Sequence, residues 1–190
     1  MKLLLIDLDD TLLKTKIFKE ELFKFFSNKY NLSTDDIKNV YEKMKHSLSV
    51  TDWILEFSKE LQKKSNTTMN YTTNDLKELD FIPNTQVISY INKSDAKKVV
   101  FSYGNTKLQK YKLDRMNILN LFDDIIITQG PKLSLLHSMK NGVRIKVRDQ
   151  LFDDITVIDN DSSFLKKVNS MFPFIKTVDV TNLISSNKHE

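Results

Sequence analysis

The junction at the N-terminus, where Lys2-Leu3-Leu4-Leu5-Ile6 runs straight into Asp7-Leu8-Asp9-Asp10-Thr11, constrains this chain more than any other stretch. A short unbroken apolar run fits a strand buried on both faces, which is the habit of parallel sheets covered by helices. The acidic residues fall at the strand's carboxyl end, where open α/β sheets place their sites. Asp7 and Asp9 are two apart, so in extended backbone both carboxylates face the same side.

Further buried-strand patterns follow at Lys98-Val99-Val100-Phe101, Ile125-Ile126-Ile127-Thr128, Ile155 to Ile158 and Ile175 to Val178. Helical patterns lie between them: Val87, Ile88 and Ile91 behind a first-turn Pro83, then Leu108 to Leu119, Leu133 to Met139 and Phe164 to Met171. This alternation predicts an α/β fold with a doubly wound parallel sheet. The pentapeptide Leu-Phe-Asp-Asp-Ile occurs at 121–125 and 151–155, but the flanks differ and it does not mark a repeat.

Residues 16–80 read differently. Phe18, Leu22, Phe25, Phe26 and Tyr30 recur at helical spacing, and Ser33 or Thr34 opens a second helix striped by Ile37, Val40, Tyr41 and Met44. Thr51 caps a third helix carrying Trp53, Ile54, Phe57 and Leu61; a polar loop spans Lys63 to Thr73, and Thr73 or Asn74 opens a short fourth helix. The expected organisation is an α/β core of 1–15 and 81–190, interrupted by an all-helical subdomain at 16–80, roughly 65 residues and within the size of a small independent unit. A length of 190 residues suits one domain with such an insertion.

Composition removes several chemistries. There are no cysteines, so disulfides, thiolate metal sites and cysteine nucleophiles are excluded, and a reducing, cytoplasmic setting is expected. Only 3 glycines are present, which leaves no glycine-rich phosphate loop. The net charge is +4, yet no block of five or six like charges forms a nucleic-acid stripe, so no nucleic-acid polymer is expected as a partner. The first apolar run is too short for a membrane span or a signal-peptide core. His46, His137 and His189 stand singly, without ligand spacing.

Four separated motifs then point one way: Asp7-Leu8-Asp9-Asp10-Thr11 after the first strand, Ser102-Tyr103-Gly104 after the second, Lys132 after Gly130-Pro131, and Asp159-Asn160-Asp161 after a late strand. Together they resemble the haloacid dehalogenase superfamily of aspartate-nucleophile phosphatases and phosphotransferases, over nearly the whole chain. The resemblance implies Asp7 as nucleophile, Asp9 as acid and then base, and Lys132 as the cation beside them, with Lys140 and Lys146 as fallbacks. It implies phosphoryl binding by Thr11, Ser102, Tyr103 and Gly104. It implies a Mg²⁺ held by Asp7, Asp9 and Asp159, with Asp161 as runner-up and Asn160 where an adjacent acid often stands. The helical insertion falls where the family carries its first type of cap.

The function so implied is Mg²⁺-dependent hydrolysis of a small soluble phosphomonoester, a phosphorylated metabolite or nucleotide, through an aspartyl-phosphate. A nucleotidase is a plausible subclass. A phosphomutase shares the same residues, and a non-catalytic phosphate- or partner-binding relative is the alternative from another class. A dehalogenase is disfavoured because that branch lacks the second aspartate of the first motif.

Overall fold

In the computed structural model, residues 1–44, 53–66 and 73–186 are described. The chain divides into two compact units, Met1–Lys14 with Pro83–Glu190, and Thr15–Ile82.

The first unit opens with β1 (Lys2–Ile6), whose Leu3, Leu5 and Ile6 are fully buried. After β1 the backbone folds sharply: the Leu8 carbonyl accepts the N–H groups of both Leu12 and Leu13 at 2.9 Å, and Asp10 takes a left-handed φ of 57°. Leu13 then bridges Pro83, and the Asn84 N–H donates to the Leu12 carbonyl at 2.7 Å. The chain therefore leaves and re-enters this unit side by side.

The intervening unit contains α1 (Thr15–Tyr30), α2 (Thr34–Met44) and α3 (Trp53–Ser65), followed by a 3₁₀ turn at Thr73–Glu78. Its core is aromatic. Phe57 packs edge-on against Phe23, Phe26 and Tyr41, with ring centroids 5.6–6.0 Å apart, the geometry that aromatic quadrupoles favour. Ser33 starts α2 as read from the sequence: its hydroxyl accepts the Asp36 N–H at 3.1 Å. The expected cap at Thr51 lies outside the described residues. The polar stretch begins later than expected, because α3 continues through Lys63 and Lys64 to Ser65.

Beyond Pro83 come α4 (Thr85–Asn92), β2 (Lys97–Tyr103), α5 (Thr106–Arg115), β3 (Asp124–Thr128) and α6 (Lys132–Ser138). A small antiparallel sheet follows, β4 (Lys140–Asn141), β5 (Arg144–Val147) and β6 (Gln150–Phe152); then β7 (Asp154–Asp159), α7 (Ser162–Met171), β8 (Ile175–Asp179) and α8 (Val180–Ser186). Pro83 is not in the first helical turn. Asn84 is the N-cap of α4, so the proline belongs to the extended entry, where it bridges Leu13.

The five long strands form one wholly parallel sheet in the order β3-β2-β1-β7-β8, as the alternating pattern predicted. The central position of β1 explains its unbroken apolar run, since neighbours and both faces are all covered. The small sheet is the element the sequence reading lacked. Ile145, Val147 and Phe152 face the same apolar cluster as Leu3, Leu5, Phe101 and Val157, while Arg144 and Lys146 point to solvent. Among the described residues, no helix is long and apolar enough to cross a membrane.

Candidate active site

Parallel strands side by side bring their carboxyl ends to one edge, and the first, second and fourth of the motifs end β1, β2 and β7 there, while the third opens α6. Asp7 follows β1 directly, and its N–H extends the ladder to the Ile158 carbonyl at 2.9 Å. Asp159 is the last residue of β7, and Lys132 is the first residue of α6. These three side chains meet. Lys132 Nζ donates to Asp7 Oδ1 at 2.9 Å and to Asp159 Oδ2 at 2.5 Å, while lying 4.7 Å from the centre of the Phe164 ring. Lys140, by contrast, sits over the Phe172 ring and Lys146 is exposed on β5.

The surroundings make the Asp7–Lys132–Asp159 group electrostatically tense. Asp7 and Asp159 are almost fully buried, at 7% and 2% exposure. Burial pushes the Asp7 carboxyl up to about 7, and the Asp159 and Asp9 charges push the same way against the pull of Lys132. Burial works to lower Lys132, but its two carboxylate partners outweigh that and hold it above its ordinary value.

Asp9 is held separately. Lys112 Nζ donates to Asp9 Oδ1 at 2.7 Å and to Oδ2 at 2.9 Å, and Gln109 Nε2 donates to Oδ2 at 2.8 Å. The same Gln109 amide reaches Ser102 Oγ at 3.1 Å and the Tyr103 carbonyl at 2.9 Å. Gly104 follows with φ +141°, and a Cβ there would stand 3.1 Å from Gln109 Nε2; its own N–H donates to the Thr128 carbonyl at 2.9 Å. Tyr103 is half exposed, while Ser102 and Thr11 are buried. The Thr11 hydroxyl donates to Asn160 Oδ1 across a long 3.4 Å. Asp161 is the N-cap of α7, accepting the N–H groups of Ser163 and Phe164. Its own N–H donates to Asp159 Oδ1 at 2.8 Å and so orients that carboxylate.

Gln109 and Lys112 escaped the sequence reading. The structure shows why they matter: within α5 the inward residues are Leu108, Gln109, Lys112 and Leu113, so half of the core-facing stripe is polar. Such residues are seldom buried without a partner that requires them.

The three carboxylates outnumber the two ammonium groups, leaving an excess negative charge suited to a dication. Among the described residues no three carboxylate or imidazole side chains converge as a closed metal cluster. Mg²⁺ does not need one: it keeps several waters and commonly binds through one or two carboxylates. The buried hard-oxygen pair Asp7 and Asp159 fits that mode. The Asp9 carboxylate, also expected in the metal set, is instead engaged by Lys112 and Gln109.

Comparisons of the sequence with protein-family models and with curated proteins give no match. Solved structures do match. A protein from Burkholderia xenovorans described as a haloacid dehalogenase-like hydrolase aligns with a TM-score of 0.70 at 15% identity, covering 94% of this chain and 81% of that one. One from Thermotoga maritima described as a beta-phosphoglucomutase aligns at 0.56 with 12% identity, covering 100% of this chain and 99% of that one. The Bacillus subtilis HAD-hydrolase YfnB, in a form described as bound to magnesium, aligns at 0.55 with 14% identity over 83% of this chain and 77% of its own. With its strand order and its motif residues at the carboxyl ends of the parallel strands, the chain adopts the fold of the haloacid dehalogenase-like hydrolases.

Proposed function

We propose that the protein is a Mg²⁺-dependent phosphomonoester hydrolase that works through a phosphorylated Asp7. The observation that carries this reading is the buried Asp7 carboxylate, fixed on Lys132 beside Asp159 at the carboxyl end of the central strand. A buried carboxylate is poorly solvated and is therefore a better nucleophile than one in water, provided nearby cations offset the charge of an incoming phosphate. Asp7 and Asp159 would hold the Mg²⁺, while the Asp9 carboxylate, expected from the sequence as a further ligand, is engaged by Lys112 and Gln109 and is kept for proton transfer; when bound, the ion neutralises phosphoryl charge and lets two anions approach.

The chain's own residues supply the remaining steps. Lys132 holds Asp7 in place and faces the phosphoryl group with its positive charge. Ser102 and Thr11 offer hydroxyls toward phosphoryl oxygens, and the Tyr103-Gly104 turn shapes the floor beside them. An Asp7 oxygen bonds to phosphorus while the ester P–O bond breaks, its electron pair staying with the departing oxygen, which takes a proton from Asp9. In the second half a water oxygen bonds to phosphorus, its proton passes to Asp9, and the Asp7–phosphorus bond breaks to restore the carboxylate. The helical unit 15–82 would act as the cap that selects a small substrate, a phosphorylated metabolite or a nucleotide.

The test is phosphate release from a generic aryl phosphate and a panel of sugar phosphates and nucleotides, with Mg²⁺ and with EDTA. Turnover that requires Mg²⁺ and vanishes in Asp7→Asn supports the reading. Inertness across the panel with Mg²⁺ rejects it, and the non-catalytic reading then stands.

A further inference from the structure

The grip on Asp9 is more elaborate than folding requires. Asp9 is one-third exposed and could have been left to water, yet it receives two buried donors from one face of α5, where residues three apart are neighbours. The Lys112 side chain is only 5% exposed, and burying an ammonium for an ion pair rarely gains stability over apolar packing. The two donors approach differently. Lys112 reaches both carboxylate oxygens, whereas Gln109 reaches one and anchors its amide on Ser102 and the Tyr103 carbonyl at the end of β2. Position and rotation of the carboxylate plane are thereby both fixed. Gly104 belongs to the same device, because a side chain there would press on the Gln109 amide.

We propose that Gln109 and Lys112 are positioning residues that hold the Asp9 carboxylate ready to take a proton from water during hydrolysis of the phosphorylated Asp7. This rests on the hydrolase reading above. In that half-reaction the water oxygen bonds to phosphorus, the water proton goes to Asp9, and the electron pair of the breaking Asp7–phosphorus bond returns to Asp7. Gln109 and Lys112 touch Asp9 and not the reacting phosphorus, so their loss acts through it. The first half-reaction with a good leaving group needs no proton from Asp9, and it continues when the grip is lost.

Burst kinetics with an aryl phosphate and Mg²⁺ separate the two halves. In Lys112→Met and in Gln109→Leu, each checked for folding by circular dichroism, one equivalent of aryl alcohol per enzyme appears rapidly. A steady rate roughly tenfold or more below wild type follows, in line with the usual worth of a positioned acid or base. Acid-quenched samples contain phosphorylated protein, and Lys112→Arg recovers most of the steady rate. A merely structural role predicts something else: a slow rate with no burst and no trapped phosphoprotein. That result overturns the proposal, as do steady rates within about twofold of wild type in whichever variant folds. An inert wild-type enzyme rejects the hydrolase reading and this proposal together, whereas an active wild type with unaltered variants rejects this one alone.

Discussion

Asp7 is where burial, charge and proposed chemistry meet, and its raised pKa has a consequence for stability. An aspartate that titrates near 3.8 in the unfolded chain and near 7 in the fold binds its proton more tightly when folded. This group therefore leaves stability intact below about pH 4, and its charge weakens the metal-free protein as pH rises from there through 7. We predict that Asp7→Asn raises the melting temperature in EDTA at pH 8 by a few degrees, with a much smaller gain at pH 5. Thermal denaturation at the two pH values reads the difference. Lys132→Ala should act in the opposite sense, because it leaves two buried carboxylates facing each other without their shared cation. Its melting temperature falls at pH 8, and its turnover drops by about a hundredfold or more if Lys132 stabilises phosphoryl charge. Gly104→Ala combines a backbone strained for any side chain with pressure on Gln109. A loss of about 1–3 kcal/mol in urea denaturation is expected.

Among the elements, those with uniform character were legible. β1, β2, β3 and β7 were visible as short, mainly apolar runs, as strands of a covered parallel sheet tend to be, whereas the edge strand β8 mixes Ile175 and Val178 with Lys176 and Thr177 and was read from its place after a helix. The small sheet was not. β5 alternates Arg144, Ile145, Lys146 and Val147 over only four residues, too short for its period of two to stand out in a basic stretch. Its packing role is nevertheless substantial. Phe152 is buried against the main core, and Phe152→Ala should cost about 3–5 kcal/mol in denaturant unfolding. The site divided along the same line. Asp7, Ser102 and Asp159 could be read because strand ends carry sequence-local signatures. Gln109 and Lys112 could not, because their partner Asp9 lies 100 and 103 residues away and only the fold brings it to α5.

At the scale of the whole molecule, the chain leaves the sheet-bearing unit and returns to it at adjacent points. The chain departs after Leu13 and returns at Pro83 through a bridge between those residues, reinforced by the Asn84 N–H on the Leu12 carbonyl. The gap left by removing residues 15–82 is thus short enough for a linker of a few residues. Such a deletion should keep the five-stranded sheet and its cooperative unfolding, as read by circular dichroism and urea denaturation. Loss of the sheet on deletion would show that the helical unit is needed to fold the other. The proposed catalytic residues all belong to the sheet-bearing unit, so the central claim concerns that unit, and one covalent bond decides it. Wild-type protein mixed with Mg²⁺ and an aryl phosphate, quenched in acid within the first turnover and analysed by peptide mass spectrometry, should carry one phosphoryl group on Asp7. A protein that releases phosphate from the ester while Asp7 stays unmodified at every quench time, or that becomes phosphorylated on another residue, would contradict the account.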